Sequence, residues 1–330
     1  MESRYKAAWI ALLACCALAA CQGAGSNQPC QIVHLTDLPL TDHDQAFYTT
    51  IKINGHDAHM LFDTGAATNL LSAAAARRLG MTVDRTEGLE AVGLGGSREE
   101  GIAQSHNVNL GATHGEDLLF ETVDSDVDGG KADGILGMNF LHGYDFDLDF
   151  WDNRLGLYAT LGDCSRPSTA LSPPLYGVPF APPAMGPESQ HLEETLSPAI
   201  YVTINGERLR ALIDTGAVHT TVFRDTARRI GLGKATILGR GKMRGVGPRR
   251  VDVDVRMSAP VTIGDLTINN MPVIVADQRH LENADMLLGY DFVTRVHLWI
   301  SHSSGTLIMQ FPPLPTPPPA APYGADPRTP

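Results

Sequence analysis

Two Asp-Thr-Gly triplets, at residues 63–65 and 214–216, are the part of this sequence best suited to chemistry. Each triplet follows a short apolar run, which predicts a strand that ends where the carboxylate begins. Two carboxylates held about 3 Å apart cannot both ionise, so such a pair keeps one proton and titrates as a unit. One partner can then take a proton from water while the other donates to a carbonyl oxygen. The first hypothesis is therefore acid–base hydrolysis of a peptide bond by Asp63 and Asp214.

The two triplets occupy the same position in an internal repeat. The copies align without a gap at a constant offset of 151 residues, so that Ile-Asn-Gly at 53–55 recurs at 204–206. Each triplet is followed, about 74 residues later, by an apolar-apolar-Gly element. These elements are Ile135, Leu136 and Gly137 in the first copy and Leu287, Leu288 and Gly289 in the second. A single triplet could be an ordinary turn, but two elements repeated in register favour one site divided between two copies.

Each copy has the pattern of a mostly β module. Alternating apolar residues at 48–53 and 201–204 predict a strand that ends in an Asn-Gly turn. Helical stretches at 72–79 and 224–230 are each stopped by a glycine, Gly80 and Gly231. We therefore expect two similar β halves with one short helix in each.

With these motifs in place, the sequence resembles the retropepsin-like aspartic proteases and, more distantly, the two-lobed pepsins. The resemblance covers both copies. It implies two tandem closed β-barrel halves that form a bilobal fold around a pseudo-two-fold axis. Asp63 and Asp214 would be catalytic, and the two apolar-apolar-Gly strands would thread beside the triplet loops and hold them.

The other triplet residues have supporting roles under this resemblance. Thr64 and Thr215 would hydrogen-bond across the pseudo-dyad, and Gly65 and Gly216 would let the two loops approach without a Cβ between them. An alanine follows each triplet, Ala66 and Ala217, where pepsins usually carry a hydroxyl that could stabilise the charged carboxylate. The pair is therefore predicted to be less acidic than that of pepsin.

Two further sets of residues are candidates for gripping a substrate. The glycine-rich hairpin tips are predicted flaps that close over the substrate, with ordinary hairpin turns as the alternative. Their glycines are Gly93, Gly95 and Gly96 in the first copy and Gly245 and Gly247 in the second. The copies differ at the fifth residue after the aspartate, Thr68 against His219, and these side chains either line asymmetric subsites or are neutral exposed positions.

Composition and residue spacing argue against two classes of ligand, nucleic acids and metal ions. The formal net charge is −12 and the basic residues are scattered, so a nucleic-acid backbone is not an expected ligand. The histidines show no metal-binding spacing, and no metal site is predicted. Residues 145–149 alternate acidic and apolar side chains, which predicts a strand with one wet face. We expect no cofactor beyond the hydrolytic water.

The N-terminus has the features of an export signal. Basic residues precede an apolar run at 7–20 that is too short to span a bilayer. The run ends in Leu-Ala-Ala-Cys, which resembles a bacterial lipobox, so Cys21 is predicted to carry lipid in the outer membrane; ordinary secretion is the alternative. Cys30 and Cys164 then bracket the first copy and form either a disulfide in an oxidising periplasm or two free thiols.

These features divide the chain into six segments. Their bounds are 1–20 for the signal peptide, 21–45 for a tether, 46–160 for the first repeat, 161–197 for a Pro-rich linker, 198–312 for the second repeat and 313–330 for a Pro-rich tail without a core.

The sequence predicts an envelope-anchored aspartic endopeptidase that acts on an extended segment of a cell-envelope protein. Because both copies lie in one chain, a monomer could be complete as a pseudo-dimer. One alternative is a catalytically silent peptide-binding lipoprotein of the same fold. The other is a structural tethering protein whose Pro-rich ends are the functional parts.

Overall fold

The computed structural model of this protein describes residues 29–84, 90–93, 96–162, 164, 168–182, 196–244, 250–277 and 284–312. The predicted signal peptide, Cys21 and the Pro-rich tail lie outside these ranges. The strands of the first half are β1 (Gln31–Pro39), β2 (Thr41–His43), β3 (Ala46–Ile53), β4 (His56–Phe62), β5 (Leu70–Ser72), β6 (Val83–Asp84), β7 (Glu90–Gly93), β8 (Gly96–Gln104), β9 (Asn107–Leu110), β10 (Thr113–Glu116), β11 (Leu119–Val123), β12 (Gly134–Leu136), β13 (Asp145–Asp149) and β14 (Arg154–Leu161). The strands of the second half are β15 (Tyr176–Pro179), β16 (Ala199–Ile204), β17 (Glu207–Ile213), β18 (Thr221–Phe223), β19 (Ile237–Arg244), β20 (Arg250–Met257), β21 (Val261–Ile263), β22 (Leu266–Ile268), β23 (Pro272–Ala276), β24 (Met286–Leu288), β25 (His297–Ser301) and β26 (Thr306–Gln310).

Each repeat builds its own lobe around one sheet. The first sheet has the strand order β10-β9-β3-β4-β12-β5-β11-β8-β6, and the second has β19-β20-β23-β18-β24-β17-β16-β21-β22. In both lobes the strand before the triplet pairs in parallel with the apolar-apolar-Gly strand, β4 with β12 and β17 with β24. The prediction of two similar β halves is confirmed. Closed barrels are not found among the described residues, since each sheet is an open path from one edge strand to the other.

The described residues form four short α-helices between the strands, where one per half was expected. Helices α1 (Ala73–Arg78) and α3 (Arg224–Arg229) occupy the two predicted stretches. The Ser72 hydroxyl caps α1 by accepting from the Ala75 N–H. The additional helices, α2 (Met138–Leu141) and α4 (Tyr290–Val293), follow the glycines that end β12 and β24. Four residues are too few to show a helical period, so the sequence pattern did not reveal these two.

A third sheet joins the lobes and includes parts of two predicted segments. Its order is β1-β14-β13-β25-β26-β15, and its centre is the antiparallel pairing of the equivalent strands β13 and β25. Part of the predicted tether is β1, an edge strand along β14, and part of the predicted linker is β15, an edge strand along β26. Each repeat is thus preceded by a strand that completes the joining sheet. Edge strands face solvent on much of their surface, so neither segment shows a clear alternation in sequence.

The β13 strand is buried along its whole length, which corrects the predicted wet face. Asp145 accepts hydrogen bonds from Ser301 and Ser303 across the joining sheet. Asp147 is only 2% exposed and pairs with Arg154 and with His297 of the opposite lobe. Buried carboxylates need such partners, and here the second repeat supplies several of them.

One continuous apolar core runs through both lobes and the joining sheet, and it includes Phe62, Phe146, Ile213 and Leu298. Cys30, just before β1, is bonded to Cys164, just after β14, in a disulfide. This bond fastens the outer edge of the joining sheet. No helix in the described part of the chain is both long and apolar enough to cross a membrane.

Candidate active site

The strand pairs of the two lobes deliver the two aspartates to equivalent positions. The Asp63 N–H donates to the Leu136 carbonyl at 3.1 Å, and the Asp214 N–H donates to the Leu288 carbonyl at 3.0 Å. Each aspartate therefore lies at the first position beyond a parallel strand pair. The chain then turns sharply, and the carboxylate projects from the turn.

Each carboxylate organises the turn that presents it. Oδ1 of Asp63 accepts the N–H groups of Gly65 at 2.8 Å and Ala66 at 3.1 Å. Oδ1 of Asp214 accepts the equivalent groups, which belong to the glycine and alanine that follow, at 3.0 and 2.9 Å. One oxygen of each carboxyl group is thereby anchored to its own loop.

The two carboxyl groups meet, and the triplet glycines make this possible. A Cβ added to Gly65 would lie 2.5 Å from Cγ of Asp214, and a Cβ added to Gly216 would overlap the Asp63 carboxyl group. The two carboxyl groups lie close enough for each to change the pKa of the other. Glycine is required at both positions because any side chain would occupy the space of the opposite aspartate.

The threonines between them connect the loops. The Thr64 N–H donates to Oγ1 of Thr215, and the Thr215 N–H donates to Oγ1 of Thr64. Each hydroxyl in turn donates to a carbonyl of the opposite lobe, that of Ile213 or Phe62. Both threonines are buried, with at most 1% of their surface exposed. These are the contacts across the pseudo-dyad that the resemblance implies.

Burial and mutual repulsion change the ionisation of the pair. Burial raises the pKa of Asp63, against the stabilising N–H groups of Gly65 and Ala66. Burial raises the pKa of Asp214 well above its usual range, and the charge of Asp63 raises it further. The pair therefore retains a proton at a pH where isolated aspartates are ionised, and the two carboxyl groups titrate as a unit.

The apolar-apolar-Gly strands support the loops from below. A Cβ on Gly137 would overlap the Thr68 carbonyl oxygen, and one on Gly289 would lie 2.6 Å from the His219 carbonyl carbon. The Met138 and Tyr290 N–H groups donate to the carbonyls of the alanines that follow the triplets, at 2.9 and 2.7 Å. Both glycines are needed because the loop backbone packs directly on them.

Two side-chain pairs behind the loops were missed by the sequence reasoning. In the first lobe, Oδ1 of Asn139 accepts the Asn69 N–H, and Oδ1 of Asn69 accepts the Gly137 N–H. In the second lobe, Oδ1 of Asp291 accepts both the N–H and the hydroxyl of Thr220. The pairs occupy equivalent places with different residue types. Their only sequence signal was a polar residue at matching positions of the two copies.

Comparison with known proteins gives the family. The family model described as aspartyl protease matches residues 49–140 and 200–292, which together make up more than half of the chain. This chain belongs to the aspartyl protease family. Both matched regions include a triplet and an apolar-apolar-Gly strand, so the chain carries two copies of the family unit.

A similar solved structure covers a smaller part of the chain than the family model does. A retropepsin-like aspartic protease from Rickettsia conorii, known from its crystal structure, is 21% identical to this protein. The match covers 40% of this chain and 95% of the Rickettsia chain, with a TM-score of 0.30. No curated protein matches this chain.

The predicted subsite residues and flap glycines of this aspartyl protease family member pair with residues other than the two aspartates or lie outside the described residues. The Thr68 hydroxyl donates to Oε2 of Glu121 at 2.7 Å. Nδ1 of His219 lies 3.9 Å from Oδ2 of Asp291, and the His219 side chain is 45% exposed. Gly93 and Gly96 are paired at the end of the β7–β8 hairpin. Gly95, Gly245 and Gly247 lie outside the described residues.

Proposed function

We propose that this protein is an aspartic endopeptidase that hydrolyses peptide bonds with Asp63, Asp214 and one activated water. The observation that carries the proposal is the reciprocal contact of the triplets. Gly65 lies against the Asp214 carboxyl group, and Gly216 lies against the Asp63 carboxyl group. A structural turn has no need of two buried carboxyl groups in contact, since their desolvation and repulsion destabilise the fold.

The proposed mechanism divides the roles of base and acid between the two carboxyl groups. Asp63 is proposed as the ionised partner, and it takes a proton from water as the water oxygen attacks the peptide carbonyl carbon. Asp214 donates its proton to the carbonyl oxygen, which gives a neutral tetrahedral diol. The diol then collapses: Asp63 gives its proton to the leaving nitrogen, and Asp214 takes one back from the diol hydroxyl. The products are a carboxylic acid and an amine, and the pair returns to its starting state.

Each triplet loop borders a small apolar cluster, which supports binding of apolar substrate side chains on both sides of the pair. Ala66 packs on a cluster that contains Tyr48 and Val127, and Ala217 packs on one that contains Phe223 and Leu287. Thr68 and His219 are proposed to add polar contacts that differ between the two sides. The substrate is proposed to be an extended peptide segment, and one chain is proposed to suffice as a pseudo-dimer.

The cell envelope is the proposed site of action. An export signal at 1–20 and a lipid anchor on Cys21 would place the enzyme at the outer membrane with its peptide substrates. The disulfide between Cys30 and Cys164 supports an oxidising compartment. Metabolic labelling of cells with a fatty-acid analogue tests the anchor: wild type should be labelled and Cys21→Ala should not. An unlabelled wild-type protein would contradict the anchor.

The activity is tested with the purified protein and a library of extended peptides, read by mass spectrometry. We expect internal cleavage that pepstatin inhibits and that does not require added metal. A chain that is folded by circular dichroism, binds peptides from the library and cleaves none of them would instead be the silent binding protein.

A further inference from the structure

The hydroxyl of Ser197 contacts the first triplet loop from the opposite half of the chain. Ser197 lies two residues before β16, is 6% exposed, and donates from Oγ to the Gly65 carbonyl oxygen at 3.2 Å. This hydrogen bond joins the residues just before the second repeat to the triplet loop of the first. It was not anticipated from the sequence, where Ser197 falls in the predicted linker.

The contact has a direct electrostatic connection to the pair. The Gly65 carbonyl and the Ala66 N–H belong to the same peptide group, and that N–H donates to Oδ1 of Asp63 at 3.1 Å. A hydrogen bond accepted by a peptide carbonyl polarises the peptide and makes its N–H a stronger donor. The chain of donors therefore runs from the Ser197 hydroxyl through one peptide group to the Asp63 carboxylate.

The repeat shows that this serine occurs in only one of the two copies. The position 151 residues before Ser197 is Ala46, which has no hydroxyl to offer the second triplet loop. The strands on either side keep the same register in both copies, since Tyr48 pairs with Leu61 as Ala199 pairs with Leu212. The two loops otherwise donate the same pair of N–H groups to their aspartates. Ser197 against Ala46 is thus one difference between the two triplet loops, in addition to Thr68 against His219 and the two supporting pairs.

We propose that Ser197 is a positioning residue that, through the peptide joining Gly65 to Ala66, keeps Asp63 rather than Asp214 as the ionised partner. This inference rests on the proposed function and deepens it, because it names what breaks the symmetry of the site. A pair with equal partners would divide its proton between two arrangements. Only one of these suits a cleft whose two sides differ.

The surroundings of Asp63 are consistent with this role. The groups that act on its carboxyl are Asp214 and the N–H groups of Gly65, Ala66 and Gly216. Of the ionisable side chains near the two loops, Glu121 is bound by Thr68, and His219 faces Asp291. Burial raises the pKa of both carboxyl groups, so the pair holds one proton, and a stronger donor to Asp63 favours the anion on Asp63.

Three substitutions test the inference. Ser197→Ala removes the hydroxyl, and Ser197→Thr retains it. Ser105→Ala is the matched control, because Ser105 is also a buried serine that donates to a backbone carbonyl, that of Leu118, without a link to either aspartate. The readouts are the pH dependence of kcat, the KM, and the free energy of unfolding.

In Ser197→Ala, weaker donation to Asp63 raises its pKa, so the acidic limb of the kcat profile should move upward by about 0.2–0.6 of a pH unit. At a fixed pH on that limb, kcat should fall about 1.5- to fourfold with KM unchanged. Ser197→Thr should restore the wild-type profile, and Ser105→Ala should leave it in place. A Ser197→Ala profile that coincides with those of wild type and Ser105→Ala would overturn the inference while leaving the proposed function intact.

A second measurement does not depend on turnover. Carboxyl ¹³C NMR titration of aspartate-labelled protein, with Asp63 assigned by Asp63→Asn, follows the pair directly. The first ionisation should move to higher pH in Ser197→Ala and remain at the wild-type pH in Ser105→Ala. An unmoved titration in Ser197→Ala would contradict the role, whereas a wild-type protein that titrates in this way but cleaves nothing would contradict the proposed function alone.

Discussion

Thr64 and Thr215 bind each other symmetrically across the two halves of the chain. The N–H of each donates to the hydroxyl of the other, at 3.0 and 3.2 Å. Each hydroxyl also donates to a carbonyl of the opposite lobe, at 2.6 Å for Thr64 and 2.9 Å for Thr215. Four hydrogen bonds thus fix the separation of the loops, and with it the contact between the carboxyl groups.

Removing one of these hydroxyls should destabilise the whole protein. Thr64→Val keeps the shape but leaves the Thr215 N–H and the Ile213 carbonyl buried without this partner, at a cost of about 2–5 kcal/mol. Thr64→Ser keeps the hydroxyl and should cost about 1 kcal/mol or less for the lost methyl group. Urea unfolding of both variants measures the difference. Equal stability of the two would show that the hydroxyl does not connect the lobes.

The support strand should not accept a side chain at Gly289. The added Cβ would meet backbone atoms at 2.6–2.8 Å, those of His219 and Ala217, which cannot move without displacing the triplet loop. We expect Gly289→Ala to lower the free energy of unfolding by about 3 kcal/mol and to reduce cleavage strongly. Gly143→Ala is the control, since its Cβ would meet nothing within 4 Å. Equal thermal stability of the two variants would refute the proposed contact.

Stability should depend on pH through the buried pair. Because the folded pKa of Asp214 is raised, its favourable contribution is complete below the unfolded pKa of about 4 and is lost as pH rises through the folded pKa. Wild type should therefore become less stable as pH rises above about 4, by about 1.4 kcal/mol for each unit by which the pKa is raised. In Asp214→Asn most of this decline should disappear. Parallel pH curves for the two proteins would contradict the raised pKa.

The disulfide should stabilise the edge of the joining sheet. Cys30 and Cys164 are 134 residues apart in sequence, and opening so large a loop should cost about 2–4 kcal/mol. The double variant with Ser at both positions should match wild type in reducing agent, as measured by thermal unfolding. If reduction leaves the wild-type transition unchanged, the bond does not contribute as expected.

Much of the site could be predicted because its determinants are local and repeated. The triplets, the strands before them and the glycine of each support strand all recur at one offset, so each copy supported the interpretation of the other. The two longer helices were predictable for the same reason, since each ends at a glycine.

The features that could not be predicted from the sequence depend on contacts between distant segments of the chain. Strands β1 and β15 are edge strands whose partners lie more than a hundred residues away, so no local pattern marks them. Asp147 alternates with apolar residues as a surface residue would, yet its partner His297 comes from the other lobe and allows it to be buried. Ser197 was invisible as a site residue because its importance arises only from the carbonyl it meets.

The most direct test of the account replaces one aspartate at a time. Asp63→Asn and Asp214→Asn should each fold, and each should lose about 10²-fold or more of the peptide cleavage, because each removes one of the two proton-transfer groups. Asp225→Asn is the control, since that side chain is 84% exposed on α3, and it should cleave like wild type. If either Asp63→Asn or Asp214→Asn, correctly folded, cleaves the peptides at the wild-type rate, the two triplets do not form one catalytic site.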